Sequence, residues 1–236
     1  MKKIIHRAKD RGYADHGWLK SWHTFSFANY YNPDQIHFGA LRVLNDDFIK
    51  GGMGFGSHPH DNMEIVTIML DGAMEHRDNT GRQKVIGPND VQIMSAGTGI
   101  VHSEFNASKT ADANLLQIWV FPKLRNVKPR YDQQTFDPAT RENALQVVVS
   151  PEQATGKLWL NQDAWFSLGK FDTGKNITLT PKTPGTGSYL FLISGEVKVD
   201  DEILQTRDAI GLSDYDNVNV EVLKAAEFLI IDVPMI

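Results

Sequence analysis

IVTIMLDGAMEHRDNTGRQKVIGPNDVQIM, residues 65–94, reads as an apolar strand, an X-Gly turn, a polar alternating hairpin, an aspartate and a second apolar strand. The segment YLFLISGEVKVDDEILQTRDAIGL, residues 189–212, repeats that order. Gly72 corresponds to Gly195 and Asp90 to Asp208, with a glycine-to-aspartate spacing of 18 positions in the first copy and 13 in the second. Asn79-Thr80-Gly81 supplies a hairpin tip in the first copy. Other short apolar or alternating runs, such as Phe38 to Leu44, Leu115 to Phe121 and Phe228 to Val233, are bounded by Gly, Pro, Asn and Asp. Long helical periodicity is absent, and only a short stretch such as Asp137 to Asn143 has helical character. The expectation is an all-β chain of two similar barrels. The first occupies residues 1–130, a polar linker 131–143, and the second 144–236.

The chain has 236 residues, 41% hydrophobic and 22% charged, which suits a packed globular core. A net charge of -5 argues against a partner held by general attraction to phosphates, so no direct nucleic-acid contact is expected. Cysteine is absent, which excludes disulfides, thiolate metal sites and cysteine nucleophiles. The basic start MKKIIHRAKD is not followed by an apolar run, and no window resembles a membrane span. A cytoplasmic, monomeric protein is the default expectation.

Eight histidines lie at positions 6, 16, 23, 37, 58, 60, 76 and 102, none of them in the second repeat. Any histidine metal site therefore belongs to the first barrel, one per chain. His58-Pro59-His60 places two imidazoles on one face of a strand, because residues two apart share a side. Pro59 suits a strand start or an edge. Glu64 keeps the same parity if the strand runs on unbroken. His102 and Glu104 are again two apart, after Gly97 and Gly99. The hairpin between the clusters brings them side by side. Three imidazoles and a carboxylate then converge, a set that suits Fe(II) and also Ni, Cu, Mn, Co or Zn. Either Glu64 or Glu104 satisfies the parity.

Gly52-x5-His58-x-His60-x3-Glu64-x7-Gly72 is close to the first cupin motif, and Gly99-x2-His102-x3-Asn106 matches the end of the second. Gly97 stands where that motif usually has proline, and one spacer is a residue longer. HPHDNMEI (58–65), MSAGTGIVHSE (94–104) and GWLKSWHTFSFANYY (17–31) resemble the pirin family, and in particular its bacterial quercetinase-like bicupins. The resemblance implies two cupin barrels of the double-stranded β-helix, or jelly-roll, type. It implies one divalent transition metal, first of all Fe(II), on His58, His60, His102 and Glu104. Most other cupins take the carboxylate from the first motif, which is Glu64 here.

The resemblance also implies a dioxygenase acting on flavonols such as quercetin with dioxygen. Glu64 is then the expected proton acceptor, with Glu104 as the alternative. Phe25, Phe27, Met53 and Phe55 are candidate walls for a flat aromatic substrate. The alternative is a non-catalytic, redox-sensing regulator that works through a protein partner. Among the remaining residues, His23 is expected to pack within an alternating strand rather than line the substrate mouth. His76 is expected to face water. Met63, Met69, Met74 and Met94 read as core fillers. Pro181 and Thr183 are the expected counterparts of His58 and His60, which leaves the second barrel without ligands.

Overall fold

Residues Glu64 to Met69 are all buried in the strand Glu64–Asp71 of the computed structural model, which describes residues 1–236. Alternation sends Ile65 and Thr67 into the first barrel and Val66 and Ile68 out of it. Val66 and Ile68 do not meet solvent. They join a core of 27 residues to which the second half contributes Val148, Phe166, Tyr189, Phe191, Leu229 and Ile231. With both faces covered, the strand has no polar side to show, and so its sequence is a continuous apolar run.

Three sheets build the molecule. The seven-stranded sheet runs Arg130–Thr135, Asp90–Ser95, Glu64–Asp71, Ala113–Val120, Leu41–Ile49, Leu19–His23 and Gly12–Asp15. The four-stranded sheet, Gly54–His60, Ile100–Asn106, Met74–Asp78 and Gln83–Ile86, faces it to complete the first barrel. The nine-stranded sheet folds over on itself as the second barrel, because Thr186–Val199 and Val218–Pro234 are long enough to serve both of its layers. Helix is confined to two short 3-10 turns, Ala8–Asp10 and Pro138–Arg141, the latter capped by Asp137. No helix is long and apolar enough to cross a membrane. This is the double-barrel, all-β architecture that the repeat implies.

The repeat holds at the level of single residues. Gly72 and Gly195 both have positive φ, 69° and 95°, and a Cβ on either would meet the backbone of Ala113 or Ala226. Asp90 Oδ2 accepts from the Gly87 amide at 2.8 Å, and Asp208 Oδ2 accepts from the Gln205 amide at 3.1 Å. Each aspartate thus closes the turn three residues before it. The residue preceding each, Asn89 or Arg207, is left-handed.

Two parts of the chain cross the expected boundaries. Lys2–His6 pairs with Ala209–Ser213 and belongs to the second barrel. The stretch 131–143 is not a free linker, since Arg130–Thr135 pairs with Asp90–Ser95 and closes the first barrel. Its polar composition hides an alternating strand in which Tyr131 points inward.

The interiors differ. The second barrel is filled by a 16-residue apolar cluster that includes Val197, Val199, Val220 and Val222. In the first, two small apolar groups of 7 and 4 residues leave room between them for polar side chains. Strand register shows what replaced the histidines. By the equivalence of Gly72 and Gly195, His76 corresponds to Val199, so Glu104, across from His76, corresponds to Val220, and His102 corresponds to Val218. His58 lies across from His102 and Leu179 across from Val218, so Leu179, not Pro181 or Thr183, occupies the place of His58. Pro181 and Thr183 lie beyond the strand Asn176–Leu179, in the connection to the next strand.

Candidate metal centre

Gly54–His60 is an edge strand, which accommodates the missing amide of Pro59. It pairs with Ile100–Asn106, and His58 lies directly across from His102. A bulge between His102 and Glu104 brings Phe55 opposite Glu104. The burial of Ile100–Asn106 alternates, with His102 and Glu104 inside and Val101 and Phe105 outside. The ring centroids of His58, His60 and His102 are 4.4–4.9 Å apart. One nitrogen from each lies within 4.8 Å of the others. A carboxylate oxygen of Glu104 makes a similar group with His76 and His102. The structure thus joins the three histidines directly and brings Glu104 alongside through His102.

Glu64 is elsewhere. The chain leaves strand geometry after His60, with Asn62 left-handed, so the assumed parity does not carry through. Glu64 falls on the side of Val66, at the contact between the barrels. Its Oε2 accepts from Ser95 Oγ at 2.7 Å and from the Asn161 amide at 3.1 Å. Burial raises its pKa. It is not among the residues that line the cavity over the histidines.

That cavity has a volume of about 360 Å³. Phe27, Phe55, Trp18 and Trp119 form aromatic parts of its wall. Trp119 stands edge-on to His60 with centroids 4.9 Å apart. Phe25 is not part of this wall but packs between His6 and Tyr189 at the junction of the barrels. Met53 is largely exposed on the outside. His23 is buried, as expected of a packed strand residue, yet it also lines the cavity. Met69, Met74 and Met94 are buried in apolar clusters, and Met63 packs against one.

Of two further residues that matter here, the sequence reading misplaces His76 and passes over Asp47. His76 does not face water. It is fully buried, with Nδ1 3.3 Å from Nδ1 of His102 and Nε2 3.1 Å from Oδ2 of Asp78. The alternation in Met74-Glu-His-Arg-Asp78, with Glu75 and Arg77 outward, is the signal that places it inside. Asp47 is the second. It is a buried carboxyl on the cavity wall that accepts a hydrogen bond from Ser21. Two adjacent aspartates in an otherwise apolar strand, Asn45-Asp46-Asp47-Phe48, are its signal.

Electrostatics follow from burial. Desolvation, reinforced by His58, lowers the His60 pKa to about 4. Desolvation and the neighbouring His58, His60 and His76 lower that of His102 to about 2. Both rings are therefore neutral at pH 7, as ligation requires. Desolvation raises Glu104 to about 7, with a further push from Asp47, and burial raises Asp47 to about 7. Two carboxyls facing one cavity cannot both ionise easily without a cation near them.

The donor set fits a divalent transition metal. Nε2 of His102 is buried and has no hydrogen-bond partner in the protein. His58 has its Nδ1 occupied by the Gly56 carbonyl at 2.8 Å, which leaves Nε2 free. Imidazoles with carboxylate suit Fe, Ni, Cu, Mn, Co or Zn.

Comparison with known proteins agrees with this architecture. Residues 5–120 match the Pirin family, and residues 147–233 match the quercetinase C-terminal cupin domain. The chain is 39% identical to quercetin 2,3-dioxygenase of Escherichia coli K12, over 98% of both chains. The crystal structure of YhhW from Escherichia coli superposes with a TM-score of 0.95 at 38% identity, covering 100% of this chain and 99% of that one. The nickel(II) complex of bacterial pirin YhhW from the same organism gives a TM-score of 0.94 at 37% identity, covering 100% of both. By sequence and by fold, the chain belongs to the pirin family.

Proposed function

We propose that this protein is a metal-dependent dioxygenase of the pirin type, which cleaves the ring of a flavonol such as quercetin with dioxygen. The observation that carries the reading is the convergence of His58, His60 and His102, one with an unpartnered Nε2, on an aromatic-walled cavity. The volume of about 360 Å³ is in the range of small-molecule sites. The ligands are the three histidines and Glu104. Iron(II) is the first candidate, and nickel(II), which the Escherichia coli pirin holds, is the next.

Held by His58, His60, His102 and Glu104, the metal would supply Lewis-acid and redox chemistry toward the flavonol and dioxygen. The protein supplies the rest. Trp119 and Phe27 give a flat ring system a surface to lie against. Glu104 and Asp47 are the carboxyls within the cavity, and they take the place expected for Glu64 as holders of the substrate hydroxyl proton. Burial around His102 keeps water out of the inner end. The second barrel, with Leu179 and Val218 at the positions of His58 and His102, is a structural partner.

The test is metal analysis of the purified protein together with turnover. Protein supplied with Fe(II), Mn, Ni, Co or Cu is mixed with quercetin in air, and loss of visible absorbance and release of carbon monoxide are followed. His58→Ala and His102→Ala are expected to lose both metal and turnover. Absence of metal-dependent turnover in the unaltered protein sinks the reading for that substrate.

A further inference from the structure

We propose that Asp78 and His76 form a relay that fixes the tautomer and ring orientation of His102, so that His102 presents its Nε2 lone pair to the metal. The inference rests on the reading of His102 as a ligand. Neither His76 nor Asp78 needs to touch metal or substrate, and His76 is a positioning residue.

The direction of each hydrogen bond follows from the one before it. Asp78 sits at the base of the hairpin tip. Its Oδ1 accepts from the Thr80 amide at 2.8 Å, the Thr80 hydroxyl at 2.5 Å and the Arg82 amide at 3.3 Å. Three donors on one oxygen hold the group as a carboxylate, which only accepts. Its other oxygen, Oδ2, lies 3.1 Å from Nε2 of His76, so that nitrogen carries the hydrogen. In a neutral imidazole the remaining nitrogen is then an acceptor. Nδ1 of His76 faces Nδ1 of His102 at 3.3 Å. The hydrogen between them therefore belongs to His102 Nδ1, and the lone pair of His102 is left on Nε2. That is the buried atom with no partner in the protein. The opposite tautomer would set two lone pairs against each other and bury an N–H without an acceptor, which an apolar surrounding penalises.

The strands make this geometry inevitable once the register is set. Asp78 lies directly across from His102, and His76 directly across from Glu104. Both side chains of the His76–Asp78 pair are inaccessible to solvent. The His76 ring is held between His102, with centroids at 5.2 Å, and Tyr131 at 4.5 Å. The Arg82 guanidinium lies over the Tyr131 ring at 5.0 Å from its centroid. His58 obtains the same fixation from the Gly56 carbonyl of its own strand. His102 has no such carbonyl, and the relay replaces it.

Two measurements on the full chain test this. In metal-free protein labelled with nitrogen-15 in histidine, long-range proton–nitrogen correlations report the tautomers directly. The expected result is Nδ1–H for His102 and Nε2–H for His76. Nε2–H on His102 would overturn the relay. The second measurement is nickel(II) affinity. Asp78→Asn keeps its oxygen on the hairpin amides and turns an NH2 toward His76, which reverses every bond in the relay. It is expected to weaken nickel binding by about 10–100-fold with little change in thermal midpoint, and His76→Phe by a similar factor. His76→Gln can donate to Asp78 and accept from His102, and is expected to restore affinity to within about 5-fold of the unaltered protein. Unaltered affinity in both Asp78→Asn and His76→Phe would also overturn the relay. Equal nickel binding by the unaltered protein and His102→Ala would instead reject His102 as a ligand, an outcome that the tautomer measurement keeps separate.

Discussion

Asp46 and Asp47 are adjacent in the chain and point to opposite sides of one strand. Asp46 pairs with Arg207 of the second barrel at 3.1 Å, and Asp47 lines the cavity of the first. The wall of the candidate site and the contact between the barrels are thus a single layer of backbone thick. Asn114 completes the outer side, donating to Asp46 at 2.8 Å and accepting from Arg207 at 3.1 Å.

Removing one partner of that buried pair leaves the other uncompensated. Asp46→Ala is expected to lower stability by about 2 kcal/mol, less than for a fully enclosed pair because Arg207 is partly exposed. Urea denaturation measures it. The double variant with Arg207→Ala is expected to lose less than the sum of the single losses. Strict additivity would show that the pair contributes nothing of its own.

The equivalence of Gly72 and Gly195 predicts equal intolerance. Alanine at either position must hold a left-handed backbone, with Cβ 2.9 Å from the Asp112 carbonyl or 2.3 Å from that of Ala225. Each substitution is expected to cost about 2 kcal/mol or more, seen as a fall of at least ~4 °C in the thermal midpoint. Gly81, also left-handed but with open space around it, is expected to cost less.

Glu64→Gln separates the barrel contact from the chemistry. Gln keeps an acceptor for Ser95 and Asn161, so stability should change by no more than about 1 kcal/mol. Metal content and quercetin turnover are expected to stay at the level of the unaltered protein. A selective loss of turnover would return Glu64 to the chemistry against its position.

Trp119 is a built-in reporter. Its ring lies edge-on to His60 with centroids 4.9 Å apart. Nickel(II) or copper(II) bound by His60 should therefore quench its emission. Titration of the unaltered protein is expected to show metal-dependent quenching, and Trp119→Phe to remove most of it. Quenching that persists in full would place the ion near another tryptophan.

His6 gives the fold a pH dependence away from the candidate site. Burial, aided by the Arg11 cation, lowers its pKa to about 4, and its Nδ1 lies 2.6 Å from the Tyr189 hydroxyl. Between pH 6.5 and 4 the unfolded chain binds a proton at this residue and the folded chain does not. Its contribution is therefore complete above pH 6.5 and is lost as pH falls toward 4, on the order of 3 kcal/mol in all. His6→Gln removes the titration. The stability difference between unaltered protein and variant should change by about 1.4 kcal/mol per pH unit in that window. A flat difference would mean that His6 protonates freely in the folded chain.

Sequence patterns give up this structure unevenly, and the reason is range. Gly72 with Gly195, Asp90 with Asp208, and the shared faces of His58 with His60 and of His102 with Glu104 all depend on turns and parity within one strand or hairpin. Parity misleads at Glu64 because Asp61-Asn62-Met63 interrupts the strand, and one left-handed residue is enough to reset it. His76 is legible only from its neighbours, since Glu75 and Arg77 face outward and the alternation turns His76 inward. The exchanged strand Lys2–His6 and the barrel-closing strand Arg130–Thr135 are decided by partners far away, about which neither segment carries information.

The exchanged strand has a consequence for how the chain assembles. His6 pairs with Ala209, 203 residues further along. During synthesis Lys2–His6 waits, as an unpaired edge, until nearly the whole polypeptide has been made. Ring closure over such a span is entropically slow, and it comes after the hairpins of the first barrel can have formed. Folding intermediates should therefore leave Ile5 without the second-barrel core it packs against, and a bulky fusion ahead of Lys2 should hinder maturation of the second barrel more than the first.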